Sequence, residues 1–259
     1  MNSDIMRVFD SKGELVLNNK VALLTGVSSG VGSAIAELLL ENGVIITGTY
    51  NSRKKQVDAF LDKYGPGRFF GVCLDFVAKD RYKSIKELVS EVLKRCEGLD
   101  IVINVTGIWT VKPFLYETTE ETDEVWNVNY WGPYEVMKIT IPHMLKDGGD
   151  IVNVASTAGV KGVGQAASYS ASKAALINLT MSLAEEFAPR GIKVNAISPG
   201  YTDTSALDKY FDGVTRDLLI KNIPLGRLCS PFDIAHAVLG ILTNDYFAGA
   251  NLLMPGGRL

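Results

Sequence analysis

Short, near-continuously apolar runs rich in β-branched residues recur at positions 21–24, 44–49, 69–74, 101–105, 151–154 and 192–197, and a longer segment with helical spacing separates each from the next. Runs that do not alternate with polar residues are strands covered on both faces. Between them, sets such as Ala34, Ile35, Leu38 and Leu39, or Ile85, Leu88, Val89, Val92 and Leu93, fall on one side of a helix. Gly43, Gly65, Gly98, Gly148 and Gly191 each follow a helical segment, where a residue in left-handed backbone closes the helix before the next strand. Repeated strand and helix units pair their strands in parallel through right-handed crossovers. The expectation is an α/β protein built on one doubly wound parallel sheet with helices on both faces, and with any ligand at the carboxyl ends of the strands.

With 259 residues and 47% apolar content, the chain can fill one large core without being divided, and residues 20–259 are expected to do so. Residues 1–19 precede the first strand as an arm, in which Phe9, Leu15, Val16 and Leu17 flank Lys12-Gly13 as in a small hairpin. The 26 basic and 29 acidic residues, net -3, are interspersed without a dense basic block, so no nucleic-acid partner is expected. The opening residues hold no uninterrupted apolar stretch of signal-peptide or membrane-spanning length, and neither targeting nor a membrane is expected. Cys73, Cys96 and Cys229 are too dispersed for a disulfide framework or a CxxC metal site; a reducing cytoplasm is the expected location. His143 and His236 have no partner ligands in the sequence, so no metal is expected.

Chemistry enters directly after the first strand, at Thr25-Gly26-Val27-Ser28-Ser29-Gly30-Val31-Gly32, which runs into the helical segment 33–41. Glycine lets the backbone turn sharply and approach a pyrophosphate, and the free N–H groups of the helix start favour its charge. Gly26, Ser28, Ser29, Gly30, Val31 and Gly32 are therefore expected dinucleotide contacts in a Rossmann-like fold, although the spacing Gly-x3-Gly-x-Gly departs from the commoner G-x-G-x-x-G. After the second strand an acid would accept from the adenosine ribose and repel a 2'-phosphate. Here the sequence is Tyr50-Asn51-Ser52-Arg53-Lys54-Lys55, with no acid before Asp58. Asn51 and Ser52 can donate to phosphate and Arg53 can pair with it, so NADP(H) is expected over NAD(H); the competing account is that residues 53–55 are only the solvated first turn of a helix.

Tyr169 and Lys173 are four residues apart in a segment rich in helix formers, and so share a helix face. A tyrosine titrates near pH 10, and an ammonium at about 4 Å in an effective dielectric of about 20 attracts the phenolate by at most about 4 kcal/mol. On that basis Lys173 is expected to lower the Tyr169 pKa. Ser156 ends the strand run 151–154, thirteen residues before Tyr169, where its hydroxyl can bond a substrate carbonyl.

Taken together and in this order, TGVSSGVG, IVNVASTAG, YSASK and ISPGYTDT resemble the motifs of the short-chain dehydrogenase/reductase family over residues 20–257. Tyr50-Asn51-Ser52 and Ile223-Pro224-Leu225-Gly226-Arg227 are similar to its 3-oxoacyl-carrier-protein reductases, though such features also occur in sugar, steroid and xenobiotic reductases. The resemblance implies Tyr169 as general acid/base, Ser156 as holder of the substrate oxygen, Lys173 on the nicotinamide ribose, and Asn129 completing a water-linked proton relay. It implies cofactor contacts from Asp75, Asn104 and Gly107 and from Pro199, Gly200, Thr202 and Thr204. Asn104-Val105-Thr106-Gly107 replaces the usual N-N-A-G, Ser29 replaces the basic residue of many NADPH-using members, and Leu253-Met254-Pro255-Gly256-Gly257 replaces V-D-G-G. The implied activity is NAD(P)H-dependent carbonyl reduction, ketone to secondary alcohol, on a small molecule by a homotetramer or dimer. The alternatives are an NAD-dependent dehydrogenase of a polyol or hydroxysteroid and a lapsed dinucleotide-binding regulator. The loop 201–222, with Leu207, Tyr210, Phe211 and Leu218, would cover an acyl or ring-bearing substrate, or serve to pack the loop or a neighbouring subunit; Trp109 and Trp131 are open to either role.

Overall fold

The computed structural model describes residues 6–259. Its strands β1 (Val21–Thr25), β2 (Ile45–Tyr50), β3 (Phe69–Cys73), β4 (Ile101–Asn104), β5 (Gly149–Val154), β6 (Ile192–Pro199) and β7 (Asn251–Met254) form one sheet in the order β3-β2-β1-β4-β5-β6-β7. Every neighbouring pair is parallel. The connecting helices are α1 (Gly30–Glu41), α2 (Lys54–Tyr64), α3 (Arg81–Cys96), α4 (Thr119–Trp126), α5 (Gly132–Met144), the short α6 (Ala158–Lys161), α7 (Ala167–Phe187), the short α8 (Ser205–Asp208), α9 (Gly213–Lys221) and α10 (Pro231–Leu242).

Two apolar layers explain why the strand runs are hydrophobic without alternation. Ala22 and Leu24 point into the layer shared with Ile35, Leu38, Leu39, Val238 and Leu239 of α1 and α10. Their neighbours Val21 and Leu23 point into the opposite layer, with Ile85, Leu88, Val136, Met137 and Leu176 of α3, α5 and α7. Successive side chains on a strand face opposite ways, so a strand between two helical layers must be apolar at every position. Left-handed backbone closes the expected boundaries at Gly43, Gly65, Gly148 and Gly191. After α3, however, Glu97 takes that conformation (φ 56°) and Gly98 does not; the αL residue is simply the first one past the helix, and Gly98 lies one place beyond it.

Within the expected arm, residues 1–5 lie outside the described residues. Phe9 and Leu15 form an isolated antiparallel bridge around the Gly13 turn. The Asn42 side chain at the end of α1 ties the arm down, donating to Met6 O (2.9 Å) and accepting from Val8 N (3.1 Å).

Connection order reverses between β1 and β4, so the carboxyl ends of those two strands open a crevice between diverging loops. Most of the site residues expected from the sequence converge on this crevice.

Candidate active site

Along the carboxyl edge of the sheet runs a cleft of about 1500 Å³, within which the glycine turn supplies one wall. Gly26 has φ 74°, and a Cβ there would lie 2.8 Å from Thr106 Oγ1; a Cβ on Gly32 would lie 2.1 Å from Gly26 O. Only glycine lets the turn close this tightly. Ser29 caps α1, its Oγ accepting from Gly32 N (2.9 Å) and donating to Gly26 O (2.8 Å), so its hydroxyl is occupied in holding the turn. The N–H groups of Gly30 and Val31 have no partner among the described residues and sit at the positive end of the helix. Two free donors beside a backbone stripped of side chains fit a pyrophosphate. Ser28, Ser29, Gly30 and Val31 line the cleft, as do Pro199, Gly200, Thr202 and Thr204 across it. Thr204 packs its methyl 3.2 Å from the point a Gly30 Cβ would occupy.

At the far end, Tyr50, Asn51, Ser52, Arg53 and Asp75 line the same cleft. Arg53 holds left-handed backbone (φ 59°) at the start of α2, an unfavourable conformation for a non-glycine residue. Its guanidinium reaches Ser205 Oγ (3.2 Å), whereas Lys54 turns away to pair with Asp58 (2.7 Å). Asp75 Oδ1 accepts from Val77 N (2.9 Å). Asn104 departs from expectation: its side chain is buried, not in the cleft, and donates to Asn153 Oδ1 (2.8 Å), while Asn153 Nδ2 donates to Thr180 Oγ1 (2.9 Å). The fourth strand is tied to the fifth, and the loop after it is held instead by Thr25 Oγ1, which accepts from Val105 N (3.1 Å) and Thr106 N (3.3 Å).

Tyr169 and Lys173 stand one turn apart on α7, with Lys173 Nζ 6.0 Å from the centre of the Tyr169 ring. Lys173 is 3% exposed and donates to Val154 O (2.8 Å) at the end of β5. Burial pulls its pKa down to about 8. Burial also pushes the Tyr169 phenol above its usual value, against a smaller downward pull from the Ser156 hydroxyl. The expected lowering of Tyr169 by Lys173 is therefore corrected. The amine is itself buried, and burial disfavours the charged form of each group. Ser156 Oγ accepts from Ala158 N (3.1 Å), which leaves the hydroxyl proton to donate into the cleft.

Asn129 lies in a single π turn (Asn127–Trp131) between α4 and α5, a local widening frequent at functional sites. Fully buried, it accepts from Ile108 N (2.9 Å) and donates to Ile108 O (2.9 Å) and Ser172 Oγ (3.1 Å). These bonds fix the loop carrying Gly107. A Cβ on Gly107 would lie 3.2 Å from Lys173 Nζ and 3.4 Å from Asn129 Oδ1, so glycine here makes room for both.

The order of the sheet, the glycine turn at its crevice, and Ser156, Tyr169 and Lys173 grouped beside it form one constellation. The family described as enoyl-(acyl carrier protein) reductase matches residues 26–258. The chain is similar to a 3-oxoacyl-[acyl-carrier-protein] reductase of Aquifex aeolicus, 37% identical across 94% of this chain and 99% of that protein. The chain belongs to the short-chain dehydrogenase/reductase family. Within that family it is also similar to 4-formylbenzenesulfonate dehydrogenase of Comamonas testosteroni, 35% identical over 93% of this chain and 98% of the relative. Carbonyl reductase family member 4 of Danio rerio is 34% identical over 92% and 98%. The crystal structure of a dehydrogenase/reductase from Sinorhizobium meliloti superposes with TM-score 0.85 at 33% identity, covering 93% of this chain and 95% of the other.

In this short-chain dehydrogenase/reductase the open question of the tryptophans resolves. Trp109 lines the cleft beside Tyr169, with ring centres 6.2 Å apart. Trp131 is 43% exposed on the outer helical face, against Tyr130 and Tyr134. Ser172, Thr25 and Ser205 were not singled out in the sequence. Their contacts join residues 43, 80 and 152 positions apart, and no local pattern encodes those.

Proposed function

We propose that this oxidoreductase is an NADPH-dependent carbonyl reductase that converts a ketone to a secondary alcohol. The observation that carries the proposal is geometric: Ser156, Tyr169 and Lys173 line the same cleft as the glycine turn, so that a hydroxyl and a phenol face one space where a carbonyl oxygen can sit. A phenol is the general acid that reduction of a carbonyl requires, and the same group serves as the base in the reverse oxidation.

The glycine turn, Arg53 and Thr204 would hold the dinucleotide, whose contribution when bound is hydride for the carbonyl carbon. Ser156 donates to the carbonyl oxygen and stabilises the negative charge that develops on it. Tyr169 Oη gives that oxygen its proton. Lys173, anchored by Val154 O and titrating at about 8, holds and releases a proton near neutrality, which suits it to resupply Tyr169. Asn129 keeps Ile108 and Ser172 in place around this path. Arg53, free of any carboxylate among the described residues, supports NADPH over NADH, since a bidentate guanidinium suits a 2'-phosphate.

An assembly of two or four copies is part of the proposal. Phe114 (72%), Leu115 (89%) and Tyr116 (71%) stand exposed on the segment leading into α4, an apolar surface of the kind that marks contacts between chains. Light scattering after gel filtration would read the assembly directly. No described helix is long and apolar enough to cross a membrane. Cys73, Cys96 and Cys229 are free thiols, which suits the reducing cytoplasm proposed as its location. The activity is tested by following NADPH consumption with acyl thioesters, cyclic ketones, quinones and sugars, each repeated with NADH. Ketone-dependent oxidation of NADPH is expected; oxidation of polyols with NAD as the sole turnover would overturn the proposal.

A further inference from the structure

The part of the cleft nearest Tyr169 is walled by aromatic rings that the chemistry above does not use. Trp109 and Tyr201 both line the cleft. The Trp109 ring centre lies 6.2 Å from that of Tyr169 and 6.5 Å from that of Tyr201. Two further rings outside the lining brace this wall from behind. Phe211 stacks on Trp109 at 5.8 Å and 22°, and Tyr210 sits 5.1 Å away, its hydroxyl donating to Trp109 O (2.7 Å). Phe211 also meets Tyr201 edge-on at 6.1 Å. The hydroxyl of Tyr210 is thus spent on the backbone, and Trp109 is held from a loop 101 residues away.

The geometry points to a ring-bearing carbonyl compound, with the ring directly attached to or conjugated with the reacting carbonyl, as the preferred substrate of this site. A carbonyl bound at Tyr169 Oη has Trp109 as its aromatic neighbour, with Tyr201 beyond it on the same wall. A braced ring cannot mould itself to a flexible chain. It offers a flat π face, against which another ring gains about two- to tenfold in binding beyond what its area alone supplies. A planar, conjugated substituent also loses less rotational freedom against such a wall than an alkyl chain, which must order more torsions. The inference rests on the carbonyl-reductase reading and narrows it from acyl or ring-bearing to ring-bearing.

The test compares 1-phenyl-1,2-propanedione with 2,3-hexanedione, an aryl and an alkyl diketone of the same reacting group, in the wild type, Trp109→Phe and Trp109→Leu. Specificity is read as the ratio of kcat/KM, and binding of each ketone by calorimetry in the presence of NADPH. The expected wild-type ratio favours the aryl ketone by about tenfold, is largely kept in Trp109→Phe, and falls to near parity in Trp109→Leu. A ratio near one in the wild type, or one unchanged in Trp109→Leu, overturns the inference. If neither ketone is reduced, the calorimetric ratio decides it in the same way. Selective aryl binding without turnover would sink the reductase reading while leaving the aromatic wall its role.

Discussion

Lys173→Met should change how stability depends on pH as well as abolish turnover. The amine is 3% exposed, and its pKa falls from 10.5 to about 8 because burial penalises the charged form. That difference amounts to about 3 kcal/mol that folding loses at neutral pH by keeping the ammonium in a dry pocket. Between the folded and unfolded pKa values the unfolded chain binds more protons than the folded one, so stability rises with pH across that window. From about pH 7 to about pH 9.5 the penalty shrinks by about 2 kcal/mol. Methionine has similar length and no charge, so the variant lacks this term altogether. It does forfeit the bond to Val154 O, at about 1–3 kcal/mol, which makes it equal to or slightly more stable than the wild type near pH 7. Urea denaturation of both proteins at several pH values measures the comparison. The wild type should gain about 2 kcal/mol on the variant as pH rises through this range. Parallel curves would show that the amine is not desolvated, and the account of Tyr169 and Lys173 as two neutral-leaning groups would fail with it.

Tyr169→Phe should cut turnover by about a hundredfold or more and leave NADPH affinity, measured by fluorescence titration, within about twofold of wild type; retained turnover would remove Tyr169 from its role as acid. Arg53→Ala should lower the NADPH-over-NADH ratio of kcat/KM by about tenfold, whereas an unchanged ratio would return Arg53 to the solvated turn of a helix. Gly107→Ala places a methyl 3.2 Å from Lys173 Nζ and 3.4 Å from Asn129 Oδ1. A drop in kcat of about tenfold with little change in melting temperature is expected from such a displacement, and wild-type kinetics would show that neither group needs its present position.

Much of this protein is legible in one dimension, because the interactions involved are local or periodic. Strands apolar at every position announced a sheet covered on both faces, and the glycine turn announced its own sharp backbone, since Gly26 and Gly32 have no room for a Cβ. Tyr169 and Lys173 share a face because the helix repeat puts them there, and in the folded protein both line the cleft. Ionisation was not legible. From spacing alone the pair suggests an ammonium acidifying a phenol, whereas in the folded protein burial is the leading influence on both groups and moves Tyr169 the other way. The surroundings of Asn104 were not legible for a related reason: its strand position is evident, but its side-chain partners, Asn153 and through it Thr180, come from other elements.

Sequence by itself determined the layered α/β architecture, the sharp glycine turn and the shared helix face of Tyr169 and Lys173, because each follows from hydrophobic period, backbone sterics or helix spacing within a few residues. Tertiary structure alone decided the electrostatic state of those side chains and the wall of the substrate cleft. Burial and the packing of Tyr210 and Phe211 against Trp109 are properties of segments that meet only when the chain has folded.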